Sequence, residues 1–260
     1  MNVFITGGTG YIGTATIAAL GRAGHDVEAL VRTDRDVAGA TTVRGTLTDL
    51  DVLRDAASRA DAVIHLAPAD AETDRAAALA MLDGDGVYIH TGGAWVYGDT
   101  DGVADEDAPQ HPPAIVAWRA ANERAVLARG GRLIMPGLVF GHDGGLIPAF
   151  FGDGRILGDG ANRWPLVHVE DIAGLYVRAL DAPAGSRYIG VGPGEPTMRE
   201  AVEALIGPVT GSRSPADLGP IGEAFALDQR LTSERARREL GWEPRRSLAD
   251  NLPRSGPAVR

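Results

Sequence analysis

The chain has 260 residues, 44% of them hydrophobic and 23% charged, close to the averages for globular domains, which excludes a disordered, collagen-like or coiled-coil chain. A formal net charge of −10 argues against a nucleic-acid partner or an anionic membrane surface, since both need clustered positive charge. There is no Cys, so disulfides, thiolate nucleophiles and Cys-ligated metals are excluded; there is also no Lys, so all 25 basic residues are arginines.

Short β-rich runs alternate with helix-periodic stretches through the first half, the pattern of βαβ units and a parallel sheet. In chain order the strands are expected at Val3–Thr6, Val27–Arg32, Thr42–Arg44, Ala62–Leu66, Gly86–Thr91 and Arg132–Met135. Helices are expected between them at Tyr11–Ala23, Leu50–Arg59, Ala71–Met81 and Ala114–Ala128. Runs such as Ala62-Val-Ile-His-Leu66 are short and almost continuously apolar, as strands covered on both faces should be. The expected fold is α/β, a Rossmann doubly wound parallel sheet with a small C-terminal substrate lobe. The Rossmann core is assigned to residues 1–140, and a smaller mixed lobe with elements returning to the core to 141–260. Past Pro136, Gly- and Pro-rich segments alternate with short helices near 170–181, 197–206 and 232–240, and the tail Arg254–Arg260 reads as loose. No signal-peptide pattern precedes the first strand and no apolar run approaches the ~18 residues of a transmembrane helix, so a cytoplasmic location is expected.

Gly7-Gly-Thr-Gly-Tyr-Ile-Gly13 follows the first strand and opens the first helix. Glycines at 7, 10 and 13 allow a tight turn, a close backbone approach to a pyrophosphate, and a helix N-terminus aimed at the anion, so the segment predicts dinucleotide binding. At the end of the second strand an NAD site usually has an acidic residue, whereas this chain has Val31-Arg-Thr-Asp-Arg35. The Arg32 guanidinium can grip a 2′-phosphate with two parallel hydrogen bonds, which favours NADP(H), although Asp34 turned toward the ribose is an alternative.

With these motifs in place, the sequence resembles the extended and atypical short-chain dehydrogenase/reductases of the NAD-dependent epimerase/dehydratase superfamily. The likeness rests on Thr6–Gly13, Val43–Asp49, Asp61–Ala67, Val96-Tyr-Gly98, Met135–Gly141, Arg163–Ala173 and Leu240–Pro244. It implies that Thr9, Tyr11 and Ile12 join the glycines at the cofactor. Thr46 and Leu47 would border the adenine, Leu66, Ala67 and Pro68 the nicotinamide ribose, and Pro136 and Leu138 the nicotinamide amide. Thr46 replaces the family's Asp at the adenine.

The same resemblance implies a catalytic Ser or Thr after the fifth strand and a Tyr-x-x-x-Lys pair on the next helix. Gly93, Ile115 and Arg119 stand at those positions. Arg119 can still touch the cofactor ribose, but as a fixed cation it cannot serve as a tunable proton donor. Sugar dehydration also loses its acidic pair, because Ala94 and Trp95 stand where the family's dehydratases carry it. The remaining acid candidates are Thr91, Tyr97 and His90. Gly93, Trp95, His142, Phe151 and Trp164 are expected to touch substrate. No metal site is expected, since no pair of histidines has ligand spacing on a helix.

The expected function is an NADPH-dependent ketoreductase working largely by positioning on a carbonyl that stabilises its own alkoxide, such as an aromatic polyketide of the angucycline type in antibiotic biosynthesis. The alternative is a catalytically inactive NADP(H)-binding sensor or scaffold. The oligomeric state, monomer or dimer, is left open.

Overall fold

The computed structural model describes residues 1–251; the tail expected to be loose lies outside them. The chain runs β1 (Asn2–Thr6), α1 (Tyr11–Arg22), β2 (Asp26–Val31), β3 (Thr41–Arg44), α2 (Leu50–Arg59), β4 (Ala62–His65), α3 (Ala71–Met81), β5 (Val87–Thr91) and β6 (Val103–Ala104). It continues through α4 (Arg119–Ala128), β7 (Arg132–Pro136), β8 (Leu138–Phe140), α5 (Leu146–Phe151), β9 (Arg155–Leu157), β10 (Leu166–His168), α6 (Val169–Ala179) and β11 (Arg187–Gly190). The last elements are α7 (Met198–Leu205), β12 (Gly211–Arg213), α8 (Pro220–Phe225), β13 (Arg230–Leu231) and α9 (Glu234–Leu240).

Seven strands form one parallel sheet in the order β11-β7-β5-β4-β1-β2-β3. Strand order reverses between β1 and β4, and a doubly wound sheet binds its ligand in the crevice outside the carboxyl ends of the strands at such a point. Alternation along β1 explains the apolar run: Val3 and Ile5 face the cluster made with α1 and α6, while Phe4 faces the one made with α2, α3 and α4.

The second lobe has its own core, in which Phe140, Ile147, Phe151, Trp164, Met198 and Phe225 are buried together. It carries the two-stranded parallel pairs β8–β10 and β9–β12. The chain then returns: α6 packs on α1, β11 extends the main sheet beside β7, and β13 pairs with β6. The strand β11 was not foreseen: its four residues Arg187–Gly190 are a short run between Gly- and Pro-rich segments.

The helix expected over Ala114–Ala128 is interrupted. Pro113 leads into a 3₁₀ turn at Ala114–Val116, and regular helix begins only at Arg119. The cause is local: after Pro113 the backbone closes i→i+3 bonds from Val116 to Pro113 and from Ala117 to Ala114.

Candidate functional site

A cleft of about 990 Å³ opens at the carboxyl ends of β1, β4, β5 and β7. Its floor is the turn between β1 and α1. Gly7 has φ +75°, and a Cβ there would come 2.6 Å from the Ala67 backbone nitrogen. A Cβ on Gly13 would land on the Gly7 carbonyl oxygen and 2.8 Å from the Gly8 Cα. Gly10 caps α1 without a side chain, and no acidic residue occupies the first turn, so its N–H groups are left for an anion. By contrast α3 is capped by Asp70, which accepts from the Glu72 and Thr73 amides, and α7 carries a Thr197/Glu200 capping box. These residues fit a dinucleotide pyrophosphate.

Thr9, Tyr11 and Ile12 line the same floor. The Tyr11 hydroxyl donates to the Gly141 carbonyl at 2.6 Å, and its ring lies where a side chain on Gly144 would be. Burial, helped by the Asp143 charge, holds the phenol well above its ordinary pKa, so it remains a neutral donor. Tyr11→Phe is expected to cost about 1 kcal/mol and to speed amide exchange across residues 141–145, read by hydrogen–deuterium exchange.

At one end of the cleft stand Arg32, Thr46 and Leu47. Asp34 is not part of the lining; its exposed carboxylate lies 3.8 Å from Arg44. The Thr46 hydroxyl donates to Asp49 Oδ2 at 2.9 Å, and the Thr46 amide donates to the same oxygen at 2.8 Å. The Asp49 carboxylate therefore organises this turn, a role the sequence reading did not assign.

At the other end the wall contains Leu66, Ala67, Pro68, Thr91, Gly93, Trp95, Arg119, Pro136 and Leu138. The Arg119 Nη1 donates to the Thr91 carbonyl at 3.3 Å, and the guanidinium sits 4.8 Å from the Trp118 ring centroid. The Thr91 hydroxyl is 2.9 Å from that of buried Tyr176. Gln229, also missed, lines the cleft and donates from Nε2 to the Ala94 and Gly98 carbonyls at 3.0 and 2.8 Å. It braces the site loop across 131 residues of chain, and no local pattern marks it.

Five expected site residues lie elsewhere. Tyr97 is buried, its hydroxyl 3.5 Å from the Glu106 carbonyl and 3.6 Å from Met135 Sδ, and burial raises its pKa; it is a packing residue. His90 is buried against Tyr88 and Asp74, and burial pushes its pKa down to about 3, which leaves it neutral rather than an acid. His142 is outside the lining, with its Nε2 2.9 Å from Glu170 Oε1. Phe151 and Trp164 are interior, the first edge-on and the second tilted against Phe225, and the Trp164 indole donates to the Phe225 carbonyl at 2.9 Å. Of the five residues expected to touch substrate, Trp95 and Gly93 line the cleft, and Trp95 packs edge-on against Phe225.

Beneath the cleft lies a polar row that spacing along the chain could not reveal. Strand register sets Thr6 beside His65 and His65 beside His90. Thr6 Oγ1 is 2.5 Å from His65 Nδ1, and Asp74 from α3 approaches both imidazoles, at 3.5 and 3.6 Å. Asn122 donates to Asp74 Oδ2 at 2.9 Å. Next to Asn122, Glu123 is buried with neither carboxylate oxygen partnered among the described residues.

A family model described as the NAD dependent epimerase/dehydratase family matches residues 3–191. The uncharacterized protein YLL056C of Saccharomyces cerevisiae is 30% identical over 284 residues, covering 94% of this chain and 95% of that protein. A 2-alkyl-3-oxoalkanoate reductase of Stenotrophomonas maltophilia is 26% identical over 324 residues, covering 98% of each. The solved structure of MoeE5 in complex with UDP-glucuronic acid and NAD superposes with a TM-score of 0.81 at 21% identity, covering 97% of this chain and 96% of that one. The glycine turn, the strand order and these likenesses agree: the chain belongs to the NAD dependent epimerase/dehydratase family.

Proposed function

We propose that this protein is an NADP(H)-dependent ketoreductase that reduces the carbonyl of an apolar, ring-containing small molecule without a Tyr/Lys acid–base pair. The observation that carries the reading is the cleft itself. It runs unbroken from the glycine turn past Arg119 to Trp95, and its one phenol among the described residues, Tyr11, is committed to Gly141. A bound nicotinamide would supply hydride. Gly7, Gly10 and Gly13 would hold the pyrophosphate, Arg32 a 2′-phosphate, and Arg119 the nicotinamide ribose. Trp95, Val116 and Leu138 give the acceptor an apolar bed that excludes water and aligns a flat ring, and such positioning supplies up to ~7–11 kcal/mol of a barrier. An acceptor that delocalises its own developing oxyanion, as a quinone or a phenol-flanked ketone of the aromatic polyketide type does, suits this wall. The 2-alkyl-3-oxoalkanoate reductase is a relative compatible with carbonyl reduction; UDP-glucose 4-epimerases match at 25% and 27% identity, so the choice of reduction rests on the cleft and its lack, among the described residues, of a free phenol.

The test is separate titration with NADPH and NADH, followed by a screen of polycyclic quinones and hydroxyketones for cofactor oxidation. Tight NADPH binding with no turnover on any carbonyl would instead support a sensor or scaffold. Arg32→Ala is expected to weaken NADPH binding by about tenfold to a hundredfold with NADH unchanged, by calorimetric titration; unchanged NADPH affinity would remove the 2′-phosphate assignment.

A further inference from the structure

We propose that Glu123 is a buried proton reservoir for the cleft, resupplying through one water molecule, across Gly92 and Gly93, the oxygen of a carbonyl being reduced there. This rests on the reductase reading and names the proton source that reading lacks.

Glu123 lies on α4 one turn beyond Arg119, which reaches the cleft wall. It is 3% exposed, and both carboxylate oxygens lack a hydrogen-bond partner among the described residues. An unpaired buried carboxylate is costly, so a structural glutamate would be expected to have found a donor. Its Oε1 stands 2.6 Å from the point a Cβ on Gly92 would occupy. Gly92 and Gly93 both line the cleft, and a Cβ on Gly93 would meet nothing within 4 Å. The carboxyl group thus lies against the Gly92 backbone, beside the Leu133 and Met135 side chains, while Gly92 and Gly93 themselves line the cleft.

The groups facing Glu123 are Asp74 from α3, Arg187 from β11, Tyr97 from the turn after β5, and Arg119 and Arg124 on its own helix. Burial outweighs the arginines and raises its pKa to about 7, with Asp74 adding to the rise. Among the described residues, Glu106 is also a buried acid with a raised pKa, but it holds the Ile189 amide beside Arg235 and is not next to the cleft lining. The phenols of Tyr97 and Tyr176 are buried with raised pKa, His90 is lowered to about 3, and Arg119 never gives up its proton.

The step balances. As hydride reaches the carbonyl carbon a C–H bond forms and the C=O π pair moves onto oxygen. Water protonates that oxygen and takes the Glu123 proton in the same relay, leaving an alcohol and a carboxylate near Arg119. Solvent then restores the proton. Glu123 touches no reacting atom and acts only through this relay.

Difference infrared spectroscopy of wild type and Glu123→Gln, with and without NADPH, tests the carboxyl directly. A protonated-carboxyl C=O band absent from the variant and fading near pH 7 is expected. Single-turnover NADPH oxidation then compares a simple 3-oxoalkanoate with a polycyclic quinone, which delocalises its own oxyanion. Glu123→Gln is expected to slow the ketone by at least about tenfold and to abolish its pH inflection, with a far smaller effect on the quinone. Gly92→Ala, which pushes the carboxyl aside but keeps it, should reproduce the ketone-selective loss. NADPH affinity of Glu123→Gln within about twofold of wild type marks an intact fold. Absence of the band, or an unchanged ketone rate and pH profile in Glu123→Gln, overturns the proposal and leaves the reductase reading standing. A wild type that binds NADPH and oxidises it with neither acceptor overturns that reading, and the proposal with it.

Discussion

Gly13→Ala is expected to lower dinucleotide affinity by at least about a hundredfold and to destabilise the protein by about 1–3 kcal/mol, the range for forcing one extra carbon into a packed site. The added methyl has no rotamer with which to escape. It would meet the Gly7 carbonyl and the Gly8 Cα, which are backbone atoms of the turn. Relief requires α1 to move away from β1, which pulls the helix N-terminus off the position where an anion would sit. Gly21, on the same helix, is the control: a Cβ there meets nothing within 4 Å, so Gly21→Ala should leave affinity unchanged. Calorimetric titration with NADPH and thermal melts of both variants separate loss of the turn from a general effect on the helix. Equal affinity of Gly13→Ala and wild type would show that the turn does not bind the nucleotide.

Asp74→Ala is expected to cost several kcal/mol, at about 1–3 kcal/mol for each buried donor left without an acceptor. The carboxylate is the hub of the row beneath the cleft, and its loss leaves His65, His90 and Asn122 without a common acceptor. Burial by itself would raise its pKa. The His65 imidazole 3.5 Å away, the neighbouring His90 and the Asn122 amide more than offset this, and the net shift is downward. A depressed carboxylate stabilises the fold above its unfolded pKa of about 3.9 and loses that contribution as pH falls through the folded value. The stability gap between wild type and Asp74→Ala should therefore be full at neutral pH and shrink below about pH 4, by denaturant titration. Asp74→Asn keeps one acceptor oxygen and should cost distinctly less. A gap independent of pH would mean that the imidazoles do not depend on the charge.

The nucleotide half of the fold was legible because its physics is local. Strands covered on both faces must be almost wholly apolar, and α1 to α3 begin within a residue of where Tyr11, Leu50 and Ala71 mark them. The start of α4 was not, because the effect of Pro113 on the next turn is a matter of hydrogen-bond register rather than composition. Trp95 and Phe151 illustrate the limit for the site. Both are aromatic and both lie in the segments expected to meet substrate, yet one faces the cleft and the other, the last residue of α5, is buried in the second lobe's core. Both rings pack against Phe225, far later in the chain, so no local pattern tells them apart. Glu123 and Asp74 were invisible for the complementary reason. Each reads as an ordinary polar residue of an amphipathic helix, and only their placement against Gly92 and the paired histidines removes them from water.

The return of α6 and β11 to the sheet has an architectural cost for the protein's history. A fragment ending near residue 140 would present β7 with a bare row of amide and carbonyl groups along its outer side, and would leave Ile17 and Leu20 of α1 without Ile172, Leu175 and Tyr176 to cover them. The second lobe therefore is not a cassette that can be exchanged without disturbing the sheet and the core it completes. New specificity must come by altering side chains and loop lengths in place, while the interwoven backbone is kept.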